Sequence, residues 1–276
     1  MRVLIFGATG MLGGYIVSYF NKKNISVCKI TRDEFDLNDF TYESLENILI
    51  EYKINNNTII INSAGIIPQA SKNYKLTEKT YFKINSLFPV MLSSICNKYD
   101  SKMIHITTDC VFSGKKGDYS ETDEHDASDS YGISKSLGEL ANCTIIRTSI
   151  IGEEKYNKRS LLEWVKSNSN KEINGYSNHI WNGVTCLELA KIIYQIISNN
   201  LFWNGVRHIF SPNIINKYEL VSLINDVYKL NIKINKYQTD EHIDKSINTI
   251  YDTNNIFNIQ KLNEQIIEQY NYSYYL

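Results

Sequence analysis

Two short stretches carry side chains suited to proton and hydride chemistry. "TTDCVFSG" (107–114) sets a hydroxyl, Thr108, a carboxylate, Asp109, and a thiol, Cys110, in consecutive positions. The stretch follows the apolar run "KMIHI" and precedes a glycine-bearing polar loop, as the end of a buried strand opening into a site would. "YGISK" places Tyr131 and Lys135 at i and i+4, on one side of a helix. An ammonium beside a phenol stabilises phenolate and lowers the tyrosine pKa from about 10 toward working pH. Such a tyrosine can give its proton to a carbonyl oxygen that receives hydride. A Tyr–Lys pair at this spacing is also common on exposed helices, so the surrounding elements must decide its meaning.

The chain start supplies that context. "VLIFGATGMLGGYIV" joins an apolar run to a helix-like run through Gly7, Gly10 and Gly13, with Thr9, Met11 and Leu12 between or beside them. Glycines at such a junction permit a tight turn and close approach of backbone to a pyrophosphate, and the helix N-terminus adds free N–H groups and a positive dipole end. The spacing G-x-x-G-x-x-G differs by one residue from the usual dinucleotide fingerprint. At the end of the next apolar run, "ITRDEFDL" offers Arg32, Asp36 and Leu37. An acidic residue there usually holds the ribose hydroxyls of NAD, whereas an arginine accommodates the 2′-phosphate of NADP. Arg32 therefore predicts NADPH, with NADH the alternative; a solvated surface arginine is the plainer reading. Asp36 and Leu37 are expected to flank the adenine. "INSAG" puts Ser63, Ala64 and Gly65 at the end of a third strand, on the edge where cofactors lie in such sheets.

The elements needed to position these groups alternate. Strands are predicted at Arg2–Phe6, Ile25–Thr31, Thr58–Asn62, Lys102–Thr107 and Cys143–Thr148. Helices are predicted at Leu12–Asn21, Tyr42–Tyr52, Tyr131–Ala141 and, interrupted by Pro89, Lys79–Tyr99. That order implies an α/β protein with a doubly wound, Rossmann-type parallel sheet. The second half is less regular, with a helix at Cys186–Ser198, a strand at Val206–Phe210 and a helix at Tyr218–Tyr228. We expect residues 1–154 with about 183–207 to form the dinucleotide-binding domain, and about 155–182 with 208–276 a smaller C-terminal α/β substrate lobe.

Bulk properties narrow the function classes. The 276 residues are 43% hydrophobic and 21% charged, with a net charge of −1. No global field favours nucleic acid or an anionic membrane, so neither is an expected partner. The apolar runs are strand-length, far short of a membrane span. The five cysteines show no C-x-x-C spacing, which gives no sign of a metal site. No charged-then-apolar leader precedes the first strand, and a cytoplasmic location is expected.

Taken together, "GATGMLG", "NSAG", "TTDCVFSG" and "YGISK" resemble the extended short-chain dehydrogenase/reductases, and within them the dTDP-4-dehydrorhamnose reductase branch. That branch shows S-T-D-x-V-F-x-G, an acidic loop with Y-x-E, Y-G-x-[ST]-K and a trailing R-T-S; here "DYSETD" and "IIRTSI" complete the order. The resemblance covers about the first 150 residues strongly and continues faintly through "GVTCLELAKII" and "GVRHIFSP". It implies that Thr108 binds the substrate carbonyl, Tyr131 gives the proton, and Lys135 lowers the tyrosine pKa and holds the nicotinamide ribose. The implied reaction is NADPH-dependent reduction of the 4-ketone of a sugar nucleotide. A dTDP or UDP carrier is open, as is a 2-acetamido group; the longer motif is most similar to reductases making UDP-linked 2-acetamido-2,6-dideoxy-L-hexoses. A homodimer built on the Lys79–Tyr99 and Tyr131–Ala141 helices is also implied.

Cys110 departs from the branch, which usually carries tyrosine there. A thiol is a poor substitute for the glutamate of the T-D-E motif in sugar-nucleotide 4,6-dehydratases, so that reading is rejected. In GDP-fucose synthase the equivalent cysteine is a base for 3,5-epimerisation with a histidine partner. No histidine falls in the matching "SLLEWVKS", but His179 lies in "GYSNHIWNG", which the family directs at substrate. A bifunctional epimerase–reductase is therefore one alternative, set against an inert packed cysteine. A second is a non-catalytic dinucleotide-binding regulatory subunit, as in methionine adenosyltransferase, which resembles this branch. Asp109 is expected to fix a turn, and His105 to be a satisfied core residue. Arg147 and Ser149 stand on the strand edge that faces ligand. Trp181 and Asn182 can stack on and bond a pyrimidine base, or simply build a hairpin. "EEKYNKR" is read as a solvated charge run, with Lys158 or Arg159 near a diphosphate as the alternative, and the tyrosine-rich tail from Tyr270 as lobe packing or a frayed end.

Overall fold

A computed structural model describes residues 1–69, 77–156 and 158–272. The first half runs β1 (Arg2–Phe6), α1 (Met11–Lys22), β2 (Val27–Ile30), α2 (Tyr42–Glu51), β3 (Thr58–Asn62), α3 (Glu78–Tyr81), α4 (Phe88–Lys98), β4 (Lys102–Thr108), α5 (Ser130–Gly138), β5 (Thr144–Thr148) and β6 (Ile150–Ile151). The second half follows with α6 (Leu161–Ser167), β7 (Glu172–Tyr176), β8 (His179–Trp181), β9 (Val184–Thr185), α7 (Cys186–Ser198), β10 (Gly205–His208), β11 (Ile215–Asn216), α8 (Lys217–Tyr228), β12 (Lys233–Tyr237), β13 (Ile243–Asp244), α9 (Thr253–Phe257) and α10 (Leu262–Tyr272).

Six strands form one parallel sheet in the order β2-β1-β3-β4-β5-β10. The winding reverses between β1 and β3, so a crevice opens above their carboxyl ends. Near-continuous apolar runs are needed because both faces are covered. Val3 and Ile5 of β1, with Ile59, Ile61, Ile104 and Ile106, pack beneath α1 and α7. Their neighbours Leu4, Phe6, Ile60 and Met103 pack against α2 and α4. Strand β10 brings residues 205–208 back to the main sheet through Val206↔Ile145 and His208↔Arg147.

A third core joins α6, α8 and α10 to β7, β8 and β12 through Leu162, Val165, Trp181, Leu220 and Ile266. Some residues of 208–272 pack outside that lobe. Ile209, Phe257, Ile259 and Tyr272 join the core under α1 and α7, and Tyr272 stacks on Tyr15 at 6.4 Å. The tail beyond residue 272 lies outside the described residues.

The predicted break at Pro89 occurs one turn earlier. Phe82–Leu87 form a π-helical turn, and Pro89 sits in the first turn of α4. Proline has no N–H for the carbonyl four residues back, Asn85, and its ring crowds that group, so the turn widens. Gly138 of α5 packs into the opening: a Cβ there would lie 2.1 Å from the Asn85 carbonyl oxygen. No helix among the described residues is long and apolar enough to cross a membrane.

Candidate functional site

The crevice above β1 and β3 is a cleft of about 590 Å³. Gly7, Thr9, Gly10, Arg32, Asp36, Leu37, Ser63, Ala64 and Gly65 all line it. Gly7 has φ 79°, and a Cβ on it would stand 2.6 Å from the Ala64 nitrogen. A Cβ on Gly13 would stand 2.1 Å from the Gly7 carbonyl oxygen. These contacts close strand, turn and helix together and leave the cradle free of side chains. Gly10 caps α1 without a side-chain bond, so the N–H groups of the first helical turn stay open to an anion. The donor set and the empty cradle fit a dinucleotide. Met11 and Leu12, expected to bind the cofactor, are not among the residues that line the cleft. The Leu12 side chain is buried beneath α1, and Met11 packs against the same core.

At the second strand end, Arg32 is exposed and its Nε lies 3.4 Å from Asp36. Asp36 also accepts from the Asn38 backbone and side chain, at 2.9 and 2.8 Å. The Asn38 backbone donor, then Arg32, holds the Asp36 carboxyl below its usual range against the opposing effect of burial.

The catalytic candidates meet where β4 ends against α5. The Thr108 hydroxyl donates to Asp109 (3.1 Å), accepts from the Cys110 backbone (3.2 Å) and lies beside the Tyr131 phenol. Thr108, rather than Asp109, thus fixes the turn. The Asp109 carboxyl turns inward to Thr108, Ser149 and the Cys110 thiol, and burial raises its pKa. Asp129 caps α5 through the Gly132 N–H at 2.9 Å. A Cβ on Gly132 would lie 2.5 Å from the Cys110 carbonyl oxygen, so α5 is clamped to the strand end.

Lys135 is buried, and its Nζ donates to the Ile106 carbonyl at 3.0 Å, near Gly65. Burial lowers its pKa to about 8. The expected lowering of Tyr131 is not seen: burial and the nearby Cys110 push the phenol above its ordinary value, with the Thr108 hydroxyl opposing. The lysine is directed to the backbone of β4 and not to the phenol oxygen. Cys110 is pushed up to about 12, by burial first and Asp109 second, so it is a neutral thiol near pH 7.

Several substrate candidates are placed elsewhere by the fold. Arg147 is fully buried and its guanidinium is spent internally. It makes two bonds to Glu139, one to His208 (2.8 Å) and one to His125 (2.6 Å), over the Phe112 ring. Four of its five N–H groups are used within the protein. Asn182 exchanges two bonds with the Ile247 backbone, at 2.8 and 3.0 Å, and Trp181 is buried among lobe side chains. They build the lobe and leave no amide edge or ring for a base. His179 engages Thr239 through Nε2 (2.9 Å). His105 bonds Asn62 through Nδ1 only, and its Nε2 lacks a partner among the described residues. Ser149 is the strand-edge candidate that reaches the site.

Two groups escaped the sequence reading. Asn85 holds α5 and the strand-3 loop in register, bonding Ile66 twice and Ser134 once at 2.9–3.1 Å. Its position in a π-turn left no periodic signal. Lys217 and Lys245 face Asp109 from the lobe. Lys217 is findable only in retrospect: "NKYE" caps a helix, and a lysine in the first turn opposes the helix dipole. No cluster of three or more metal-ligating side chains is found among the described residues.

Comparison with known proteins agrees with this geometry. The spore coat polysaccharide biosynthesis protein SpsK of Bacillus subtilis is 26% identical over 261 residues, 91% of this chain and 87% of that protein. A dTDP-4-dehydrorhamnose reductase of Mycobacterium tuberculosis is 27% identical over 147 residues, 51% of this chain and 45% of its own length. The crystal structure of a dTDP-4-dehydrorhamnose reductase from Bacillus anthracis, in complex with NADP, superposes with a TM-score of 0.81 over 98% of both chains at 20% identity. A Clostridium acetobutylicum reductase gives 0.80 over 99% of this chain and 100% of that one, also at 20%. These structures share the fold. The family described as RmlD substrate binding domain matches residues 1–259, and the chain belongs to that family.

Proposed function

We propose that this protein is an NADPH-dependent reductase of the 4-ketone of a nucleotide-linked 6-deoxyhexose. The observation that carries the reading is the joining of Thr108, Tyr131 and Lys135 at the end of β4, beside a cleft shaped for a dinucleotide. The reduced nicotinamide supplies the hydride. The chain supplies the rest. Thr108 and Tyr131 bond the carbonyl oxygen and orient it. Tyr131 keeps its proton in the bare site, as a donor must, and releases it to the oxygen as negative charge develops there. Lys135, held by the Ile106 carbonyl, offers its remaining N–H groups to the ribose. Arg32 reads the 2′-phosphate, which favours NADPH over NADH. Sugar-nucleotide names among the relatives support the substrate class; the carrier is dTDP or UDP, with a hydroxyl or acetamido group at C2.

The epimerase alternative loses support, because Cys110 is protonated and His179 engages Thr239. The protein acts as a homodimer through α4 and α5. Leu87, Ile133, Leu137 and Leu140 are exposed on and beside these helices, and Leu140 is 73% exposed. Sedimentation of the Leu140→Glu protein as a monomer is the expected result; an unchanged mass removes this face from the interface.

The deciding experiment offers 4-keto-6-deoxyhexoses on dTDP and on UDP, made with a dehydratase and a 3,5-epimerase, together with NADPH or NADH. Loss of reduced-nicotinamide absorbance and a 4-hydroxy product by NMR are expected with one carrier, faster with NADPH. Dinucleotide binding without turnover on either carrier overturns the reading in favour of a binding-only subunit.

A further inference from the structure

The strand-end site is closed from the lobe side by two lysines, and they differ in one respect. Strands β11, β8 and β13 form a small sheet with β8 in the middle. Lys245 follows β13, and its Nζ donates to the Phe112 carbonyl at 2.7 Å. Lys217 follows β11 and opens α8. Its Nζ lies 4.6 Å from the centre of the Trp181 ring, and it faces Asp109 and Cys110. Unlike Lys135 and Lys245, it makes no hydrogen bond and no ion pair among the described residues.

That is an unfavourable place for an ammonium. A cation in the first turn of a helix opposes the dipole, and partial burial without acceptors leaves N–H groups unsatisfied. Burial accordingly lowers the Lys217 pKa to about 8, with Asp109 and Cys110 opposing. The Trp181 face holds the ammonium by cation–π attraction, which has no need of the N–H donors and leaves them available. The open donors face a site whose neighbours, Thr108 and Tyr131, are assigned to the carbonyl.

We propose that Lys217 is a substrate-contacting residue that selects the oxygen substituent on the carbon next to the reacting carbonyl. The inference rests on the reductase reading above. In a 4-keto-6-deoxyhexose the two carbons bonded to the carbonyl are C3 and C5. C5 carries the methyl group and the ring oxygen, so the free hydroxyl at this distance is that on C3. Lys217 donates to the 3-hydroxyl oxygen, fixing which edge of the sugar meets the lobe and hence the placement of C4 against Tyr131. The sugar oxygen fills the acceptor vacancy around the ammonium, and Trp181 below keeps the contact desolvated.

The test is a cycle between Lys217→Met and removal of the 3-hydroxyl. Turnover of the 4-keto-6-deoxyhexose on the carrier used by the wild type is compared with turnover of its 3-deoxy counterpart. For the 3-hydroxy substrate, Lys217→Met is expected to lose about 10- to 100-fold in kcat/KM, the loss of a charge-assisted hydrogen bond. For the 3-deoxy substrate the loss is expected to be less than about threefold, because the contact is already missing. NADPH affinity stays at the wild-type value. Equal losses on the two substrates, or none on either, overturn the inference while leaving the reductase reading intact. Should Lys217→Met fail to fold, Lys217→Gln decides by the same comparison, with a smaller loss expected on the 3-hydroxy substrate alone. A wild type that reduces neither substrate overturns the reductase reading, and this inference with it.

Discussion

At Tyr131 the environment works in two directions. Burial holds the proton on the phenol, and the Thr108 hydroxyl beside it aligns the donor. Replacing the phenol by phenyl removes the proton and little else. Tyr131→Phe should lower kcat by about 10²–10⁴ while NADPH titration by fluorescence stays unchanged; a mutant with wild-type turnover would remove Tyr131 from the mechanism. Lys135 gives a pH signature. Its folded pKa is depressed to about 8. The ammonium is therefore complete well below that value and is lost as pH rises through it. The kcat/KM profile should be flat below about pH 8 and fall above it. Tyr131 retains its proton throughout this window, so it does not produce the limb. Lys217 titrates in the same range, and a limb that persists in Lys217→Met belongs to Lys135. A limb displaced to pH 10 would mean that Lys135 is not desolvated.

The glycine turn shows how two adjacent residues of one element differ. A Cβ on Gly13 would enter the Gly7 carbonyl oxygen, whereas one on Gly14 would meet nothing within 4 Å. Gly13→Ala must push α1 away from the turn, at a cost of about 1–3 kcal/mol, and open the anion cradle. Gly14→Ala, inside the same helix, should be neutral or gain about 0.5–1 kcal/mol from restricting the unfolded chain. Thermal melts with and without NADPH check both; equal behaviour of the two variants would refute the packing argument. The π-turn at Phe82–Leu87 acts at this scale too. It places the Asn85 side chain against Ile66 and Ser134, which ties the third strand's loop to the helix that carries Tyr131 and Lys135.

Across the whole molecule, Arg147 is the fastening between sheet, helix and loops. It links β5 to Glu139 after α5, to His208 on β10 and to His125 in the acidic loop. Burial and the guanidinium depress the pKa of His208, so it accepts from Arg147 as a neutral ring and donates from Nδ1 to the Asn248 carbonyl. Arg147→Ala should cost about 3–5 kcal/mol, since Glu139 is left buried without its partner. Arg147→Met combined with Glu139→Gln should recover part of that loss. Denaturant unfolding measures the stabilities. A stable Arg147→Ala protein with a raised substrate KM would return the residue to the substrate site. The same scale explains α10, whose Leu262 and Ile266 pack in the lobe while Tyr272 packs under α1, so one helix ties the lobe at its first turns to the sheet core at its last.

What could be read from the chain follows local rules. Apolar runs at strand length, glycines at the first turn and a tyrosine four residues before a lysine are local patterns, and they determined the parallel sheet, the glycine-lined cleft and the nearness of Tyr131 and Lys135 to the end of β4. Strand ends such as Arg147 and hairpin residues such as Trp181 and Asn182 look alike in sequence whether they point to a ligand or to a neighbour. Their roles depended on which buried acceptors and backbone groups surround them, and those come from segments 8 to 65 residues away. Lys217 is the converse case. Nothing beside it in the chain is catalytic, and only the β11–β8–β13 sheet brings its ammonium over Trp181 and into the field of Asp109. Local pattern sets which elements form because backbone geometry repeats over a few residues. Tertiary packing alone decides which polar groups are left with something to bind, because burial and hydrogen-bond satisfaction are properties of neighbours in space.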